Sequence, residues 1–307
     1  MNVIEATGIT KKFGSKAVVN KVNLIVKKGE IYGFLGRNGA GKSTFINMIT
    51  GVTRPTSGEY KLLGESSLEK VYNRIGVLPD YSTFYDSLTA LGHLKYFGKI
   101  NGQKISTEEG KSVLERVGLL GDANKKAGKF SFGMKKKLGI AQAIVHNPDL
   151  IFLDEPTSGV DAESGLSIQQ LILDLKEEGK TIFMTSHNLN EVEKICTRMA
   201  IMKDGNILNE GTLEELRAHY KSSIQVQIKH SNFSSKKDDI IPQFLGSIGT
   251  EIKTEDNKTS MVIESEEKIP FIVRAFTNHK IDIFRIIVNE PSLEEIFLKG
   301  GSEHQVF

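Results

Sequence analysis

The chain has 307 residues, which at about 150 residues per domain suggests two domains. With 39% hydrophobic and 25% charged residues it has the balance of a folded globular protein, which excludes a disordered chain. A net charge of +2 gives no reason to expect nucleic acid as a partner, and the single cysteine, Cys196, excludes an internal disulfide and suits a reducing compartment.

The opening MNVIEATGITKKFGSK lacks the apolar core of a secretion signal, and no apolar run reaches the roughly 18 residues needed to span a membrane. Residues 22–26 alternate apolar and polar, and residues 31–35 are nearly all apolar; both read as strands, the second buried on both faces. GRNGAGKST follows, then FINMIT at helical spacing, closed by Gly51. RIGVLP is a further strand, and residues 85–145 carry mostly helical patterning, as a helical insertion would. LIFLD and TIFMTSH are buried strands, the latter preceded by the amphipathic helix LSIQQLILDLKEEG. Strands alternating with helices predict a mainly parallel sheet covered on both faces.

Past Tyr220 the style changes. SSIQVQIK, a short strand at 251–253, SMVIES and IDIFRIIV read as strands. DDIIPQFLGSI and EKIPFIVRAFTNH read as helices with early prolines, and SLEEIFLKG as a last helix closed by glycine. The polar run HSNFSSKKDD is a loop inside this unit. Strand-helix-strand-strand-helix-strand is the order of a small ferredoxin-like α+β unit. The expected organisation is therefore an α/β domain over 1–220 and an accessory domain over 221–307.

Gly36 to Ser43 fit G-x-x-x-x-G-K-[ST] in full. In such a loop the glycines let backbone N–H groups turn toward phosphate oxygens, and the following helix adds its positive end. Gly36, Asn38, Gly39, Ala40, Gly41 and Thr44 belong to this cradle; Lys42 is placed for the β- and γ-phosphates and Ser43 for Mg²⁺. In LIFLDE an apolar strand ends in two acids. Asp154 is a candidate for holding Mg²⁺ and Glu155 for activating water.

These elements and their order, over residues 3 to 218, resemble the nucleotide-binding subunit of ABC transporters. GRNGAGKST stands as the Walker A element, FSFGM (130–134) where an LSGGQ signature is expected, LIFLDEPTSGVD as Walker B with SGVD as the D-loop, and His187 as the switch histidine. The resemblance implies a P-loop NTPase cassette, with a RecA-like α/β core and a helical subdomain, that hydrolyses ATP with Mg²⁺. It further implies that two such domains close head to tail, a homodimer being the simplest form. Ser131 and Gly133 would then meet ATP held by the partner, Asp161 would lie at the seam, His187 would touch the γ-phosphate, and Phe13 would stack on adenine. The membrane path would be a separate permease subunit, leaving this chain peripheral at the cytoplasmic face. The tail PSLEEIFLKG, the SFGM element and an acidic Q-loop resemble the branch exporting drugs, antibiotics, polysaccharides or lipids.

Two positions depart from the family pattern. Asp80 stands in the Q-loop, where its carboxylate can accept from metal-bound water but cannot donate as an amide does. Phe132 replaces the first glycine of the signature pair and is expected to face the membrane subunit or another chain, outside the site. Lys135, Lys136 and Lys137 read as a solvated helix face, Cys196 as packed core within a helix, and His93, His146 and His219 as structural or exposed. A soluble ABC ATPase uncoupled from transport is the alternative. A P-loop GTPase is a weaker one, because no NKxD motif is present.

Overall fold

The computed structural model describes residues 1–80, 83–219, 224–231 and 240–289. The expected last helix within PSLEEIFLKG and most of the HSNFSSKKDD loop lie outside the described residues. The chain divides into two compact units, Met1–Thr212 and Leu213–Phe307.

In the first unit the elements run β1 (Asn2–Phe13), β2 (Lys16–Lys27), β3 (Ile31–Leu35), α1 (Lys42–Ile49), β4 (Ser57–Leu62), β5 (Ile75–Leu78), α2 (Ala90–Ile100), α3 (Thr107–Arg116) and α4 (Phe132–Ile144). They continue with β6 (Leu150–Asp154), α5 (Ala162–Glu177), β7 (Thr181–Ser186), α6 (Leu189–Ile195), β8 (Arg198–Lys203) and β9 (Asn206–Gly211). Six strands form one sheet in the order β5-β6-β7-β3-β8-β9, parallel except for β9. A second, antiparallel sheet has the order β2-β1-β4. The expected strands at 22–26 and 31–35 are thus present, but the first belongs to a twelve-residue strand paired with β1.

The buried strands serve two cores at once. Ile31, Ile151, Leu153, Ile182 and Met184 point to one face, where α2 to α5 supply Leu94, Leu114, Leu138, Ile168 and Ile172. Tyr32, Phe34, Leu150, Phe152 and Phe183 point to the other, where α1 and the antiparallel sheet supply Phe45, Ile46, Ile4, Ile9 and Leu24. Alternate residues of one strand face opposite sides, so a strand covered on both reads as an unbroken apolar run. Phe34 and Phe45 meet at 5.1 Å between centroids, and Phe152 and Phe183 at 5.8 Å. Each buried aromatic ring contributes about 1.5–3 kcal/mol by leaving water.

The helices start at caps written in the sequence. Thr89 opens α2, Ser106 opens α3 in a capping box with Glu109, Ser131 opens α4, Asp161 opens α5 and Asn188 opens α6. Each side chain accepts a backbone N–H that the first helical turn leaves without an internal partner.

The second unit runs α7 (Leu213–His219), β10 (Ile224–His230), α8 (Ile240–Ile248), β11 (Gly249–Glu255), β12 (Lys258–Ile263), α9 (Ile269–Asn278) and β13 (Ile283–Asn289). Its sheet is antiparallel in the order β11-β12-β10-β13, the ferredoxin-like arrangement expected from the pattern. Val226, Ile228, Ile263, Leu245, Ile272 and Phe276 are buried between this sheet and its two helices. Pro242 and Pro270 both sit in a first turn, where the missing N–H costs nothing. Among the described residues no helix is long and apolar enough to cross a membrane.

Candidate active site

Strand order places the site. β5, β6, β7 and β3 are parallel neighbours, so the residues after each strand emerge at one edge of the sheet. Asp80 follows β5, Asp154 ends β6 and Glu155 comes next, His187 follows β7, and the loop 36–41 follows β3. Apart from Asp154, which is 2% exposed and not part of the lining, they meet around a cleft of about 480 Å³ lined by Asn38, Gly39, Gly41, Lys42, Ser43, Thr44, Asp80, Glu155 and His187. The carboxyl edge of an open parallel sheet is where such folds bind ligands.

The loop geometry requires glycine at one position in particular. Gly41 has φ +109°, and a Cβ there would lie 2.5 Å from the Val18 carbonyl oxygen. No L side chain fits that approach. Helix α1 then begins at Lys42, whose buried ammonium donates to the Gly36 carbonyl at 2.7 Å and lies 3.1 Å from Glu155 Oε1. The other carboxylate oxygen, Oε2, accepts from His187 Nδ1 at 2.8 Å.

Glu155 has a left-handed backbone, φ +50°, and is held from both sides. Its N–H donates to Thr185 Oγ1 at 3.0 Å, and its carbonyl accepts from Lys136 Nζ at 2.9 Å. The Thr185 hydroxyl in turn donates to Asp154 Oδ1. Burial raises the pKa of Asp154, while hydrogen bonds from Thr185 and Ser43 act in the opposite direction. Beside this group Glu191 accepts from Thr157 Oγ1 at 2.7 Å and from Ser186 Oγ at 2.8 Å, its pKa also raised by burial.

Ser43 and Asp154 are hard oxygen donors that interact with one another, and Asp80 lines the cleft together with Ser43. Among the described residues there is no group of three His, Cys, Asp or Glu able to hold a metal alone. That donor set fits Mg²⁺, which usually takes one or two carboxylates and completes its octahedron with water and substrate phosphates.

Not every expected residue lies in the cleft. Gly36 contributes its carbonyl to Lys42, and Ala40 is packed beneath the loop. Phe13 ends β1 at 57% exposure with Lys11 Nζ 5.2 Å from its ring, and it is not part of the cleft lining. Ser131, Gly133 and Asp161 also lie outside the lining, clustered where α4 and α5 begin. A Cβ on Gly133 would be 3.6 Å from Asp161 Oδ2.

Two expectations are corrected. Phe132, expected to face away from the site, lines the cleft and packs against Gly159, where a Cβ would lie 2.9 Å from its ring. Lys136, expected on a solvated face, is only 5% exposed, and burial lowers its pKa against the opposing pull of Asp80, Asp154 and Glu155. Its buried neighbours Gly133, Ile140 and Ala143 share its helical stripe, so the spacing of α4 carried the signal. Thr185 and Glu191 carry no site motif, whereas Ser158 and Gly159 belong to the SGVD element and line the cleft although its Asp161 does not. Cys196 is packed as expected, its Sγ 2.8 Å from a Cβ built on Gly33, but it ends α6 in extended conformation instead of lying within the helix. His93 and His146 are buried, and the side chain of His219 lies outside the described residues.

A parallel sheet, a phosphate-type loop and two acids at the next strand's end define a nucleoside-triphosphate hydrolase of the P-loop class. A family model described as "ABC transporter" matches residues 19–158, and one described as "ATP-binding protein DrrA1-3-like, C-terminal domain" matches residues 211–300. The chain is 36% identical to the bacitracin transport ATP-binding protein BcrA of Bacillus licheniformis, over 97% of this chain and 98% of the relative. It is 32% identical to the linearmycin resistance ATP-binding protein LnrL of Bacillus subtilis strain 168, over 96% and 97%. A solved dimeric ATP-binding cassette in a post-hydrolysis state, bound to ADP and phosphate, is similar with TM-score 0.63 and 28% identity, over 68% of this chain and 98% of that one. The chain belongs to the ATP-binding proteins of ABC transporters. It is an ATP-hydrolysing subunit whose fold is the ABC cassette with a small C-terminal unit.

Proposed function

We propose that this chain powers export of an antibiotic, lipid or similar amphipathic compound through a separate membrane permease, working as a Mg²⁺-dependent dimer at the cytoplasmic face. The full-length similarity to bacitracin and linearmycin proteins supports the substrate class. The dimeric state of a related cassette supports pairing of two copies. We assign residues 1–220 to the motor and 221–307 to an accessory role.

The observation that carries the hydrolytic reading is the contact series Lys42–Glu155–His187, each link within 3.1 Å. The triphosphate of ATP lies along residues 36–44, where backbone N–H groups and Lys42 meet its negative charge. Ser43 and Asp154, with Asp80 nearby, would hold Mg²⁺, which when bound would supply neutralising charge at the phosphates. Glu155 takes the proton of the attacking water, and His187 Nδ1 fixes the carboxylate that does so. Phosphoryl transfer asks for positioning and charge stabilisation, which this arrangement supplies. Ser131, Gly133 and Asp161 face the nucleotide of a second copy, and Phe13 serves the adenine.

The test is Glu155→Gln in the full chain. ATP binding is expected to persist, with turnover lost and a nucleotide-loaded dimer accumulating on size-exclusion chromatography. Normal hydrolysis by that variant removes Glu155 as the base.

A further inference from the structure

Lys136 is a buried cation without a motif. Its ammonium sits where three parts of the first unit meet: it donates to the Glu155 carbonyl at 2.9 Å and to the Asp80 carbonyl at 3.2 Å, with Asp80 Oδ1 farther off at 3.7 Å. The lysine itself rides on α4, whose first residues carry Phe132 and Gly133. Burying an ammonium is costly unless its donors are matched, and here backbone carbonyls provide most of the match.

The carbonyl it holds is an unusual one. Glu155 is a non-glycine residue at φ +50°, a conformation that persists only when its surroundings over-determine it. Thr185 pins its N–H and Lys136 its C=O, while the side chain is directed by His187 and Lys42. The Glu155 carbonyl also accepts the Ser158 N–H at 3.3 Å, but among the described residues Lys136 is the only side chain that anchors it, and at the shorter distance.

We propose that Lys136 is a positioning residue for ATP hydrolysis: from α4 it fixes the backbone of Glu155 and ties it to the loop bearing Asp80. The inference rests on Glu155 as the base and goes beyond it, because it makes the pose of that base depend on the signature helix. Any displacement of α4 relative to β6 then acts on the hydrolytic step directly, before it acts on nucleotide affinity.

The full chain with ATP and Mg²⁺ tests this through Lys136→Met, which keeps the stem and removes the donors, and Lys136→Gln, which keeps one amide donor. For Lys136→Met, kcat is expected to fall tenfold or more while the ATP dissociation constant changes less than threefold. Lys136→Gln is expected to recover at least threefold of the lost kcat. A kcat within twofold of the parent for Lys136→Met overturns the proposal, as does an affinity loss that matches the loss in kcat. If Lys136→Met does not fold, Lys136→Ala, which also removes the donors, is read against the same limits on kcat and affinity. Glu155→Gln in the same assay separates the two readings. Continued turnover there removes the base and this proposal together, whereas abolished turnover beside a normal Lys136→Met removes Lys136 alone.

Discussion

Replacing Thr185 by valine removes one hydroxyl of a fully buried residue and keeps its shape. Two bonds go with it: the Glu155 N–H loses its acceptor and Asp154 loses a donor. A buried N–H left without a partner costs about 1–3 kcal/mol, and a hydrogen bond to a charged group contributes about 1.5–3 kcal/mol. The two share one atom and are not additive, so a loss of about 2–5 kcal/mol is expected. For a unit of this size, roughly 2–4 °C per kcal/mol translates that into a melting temperature lower by about 4–20 °C. Thr185→Ser is the control: it keeps the hydroxyl and drops one methyl, at about 1 kcal/mol. Differential scanning calorimetry with a steady-state ATPase assay reads both effects. The valine variant should lose most of its turnover, and the serine variant should keep it. If Thr185→Val melts within about 2 °C of the parent and hydrolyses ATP at the parent rate, the hydroxyl neither supports the Glu155 backbone nor serves Asp154.

Lys42→Ala removes the buried ammonium of the phosphate loop and should weaken ATP binding by about 10–100-fold, the worth of a charge-assisted bond, in a titration with a fluorescent ATP analogue; unchanged affinity contradicts the cradle. Glu191 has a folded pKa raised by burial above its ordinary 4.5, so the native state holds the proton longer and stability falls as pH rises from there through the folded value. Glu191→Gln, which keeps one carbonyl acceptor at this site and removes the titrating group, should therefore flatten the dependence of melting temperature on pH across that window; a parallel curve argues against the assignment. Phe276→Ala empties the centre of the second unit and should cost it about 3–5 kcal/mol. Hydrogen exchange should then show lost protection in β10 and β12 with β3, β6 and β7 unchanged.

Much of this molecule is legible before folding because some signals are local. β3, β6 and β7 read as apolar runs since each is covered on both faces. The phosphate loop and the acid pair are contiguous in sequence, so spacing alone exposes them. β1 and β4 escape notice for a physical reason. Residues such as Glu5, Lys11 and Lys12 interrupt the alternation, and register shifts at Asn2/Ile4, Ala6/Ile9 and Ile9/Lys11 break the two-residue period along β1. The supporting residues of the site are hidden for another reason. Thr185 and Lys136 matter through single polar atoms aimed at the backbone of Glu155, 30 and 19 residues away. Composition and periodicity can say that such residues are inside; only the packed structure says which carbonyl or amide they reach. Phe132 shows the converse, a large exposed ring at a position normally small, whose resting place on Gly159 no one-dimensional pattern predicts.

The cap of α4 has a chemical polarity of its own. Ser131 Oγ accepts the Met134 N–H at 3.2 Å, so one of its two lone pairs is committed inward and its one proton is left to point elsewhere. The tip of this helix therefore presents hydrogen-bond donors: that proton and the unused N–H groups of the first turn. Asp161 stands close by, one of its oxygens already capping α5 through Ser164 at 2.9 Å. A ligand arriving at the tip meets donors that welcome negative charge and a carboxylate that repels it. Such a surface therefore favours an anion that can engage several donors at once over one that engages a single donor.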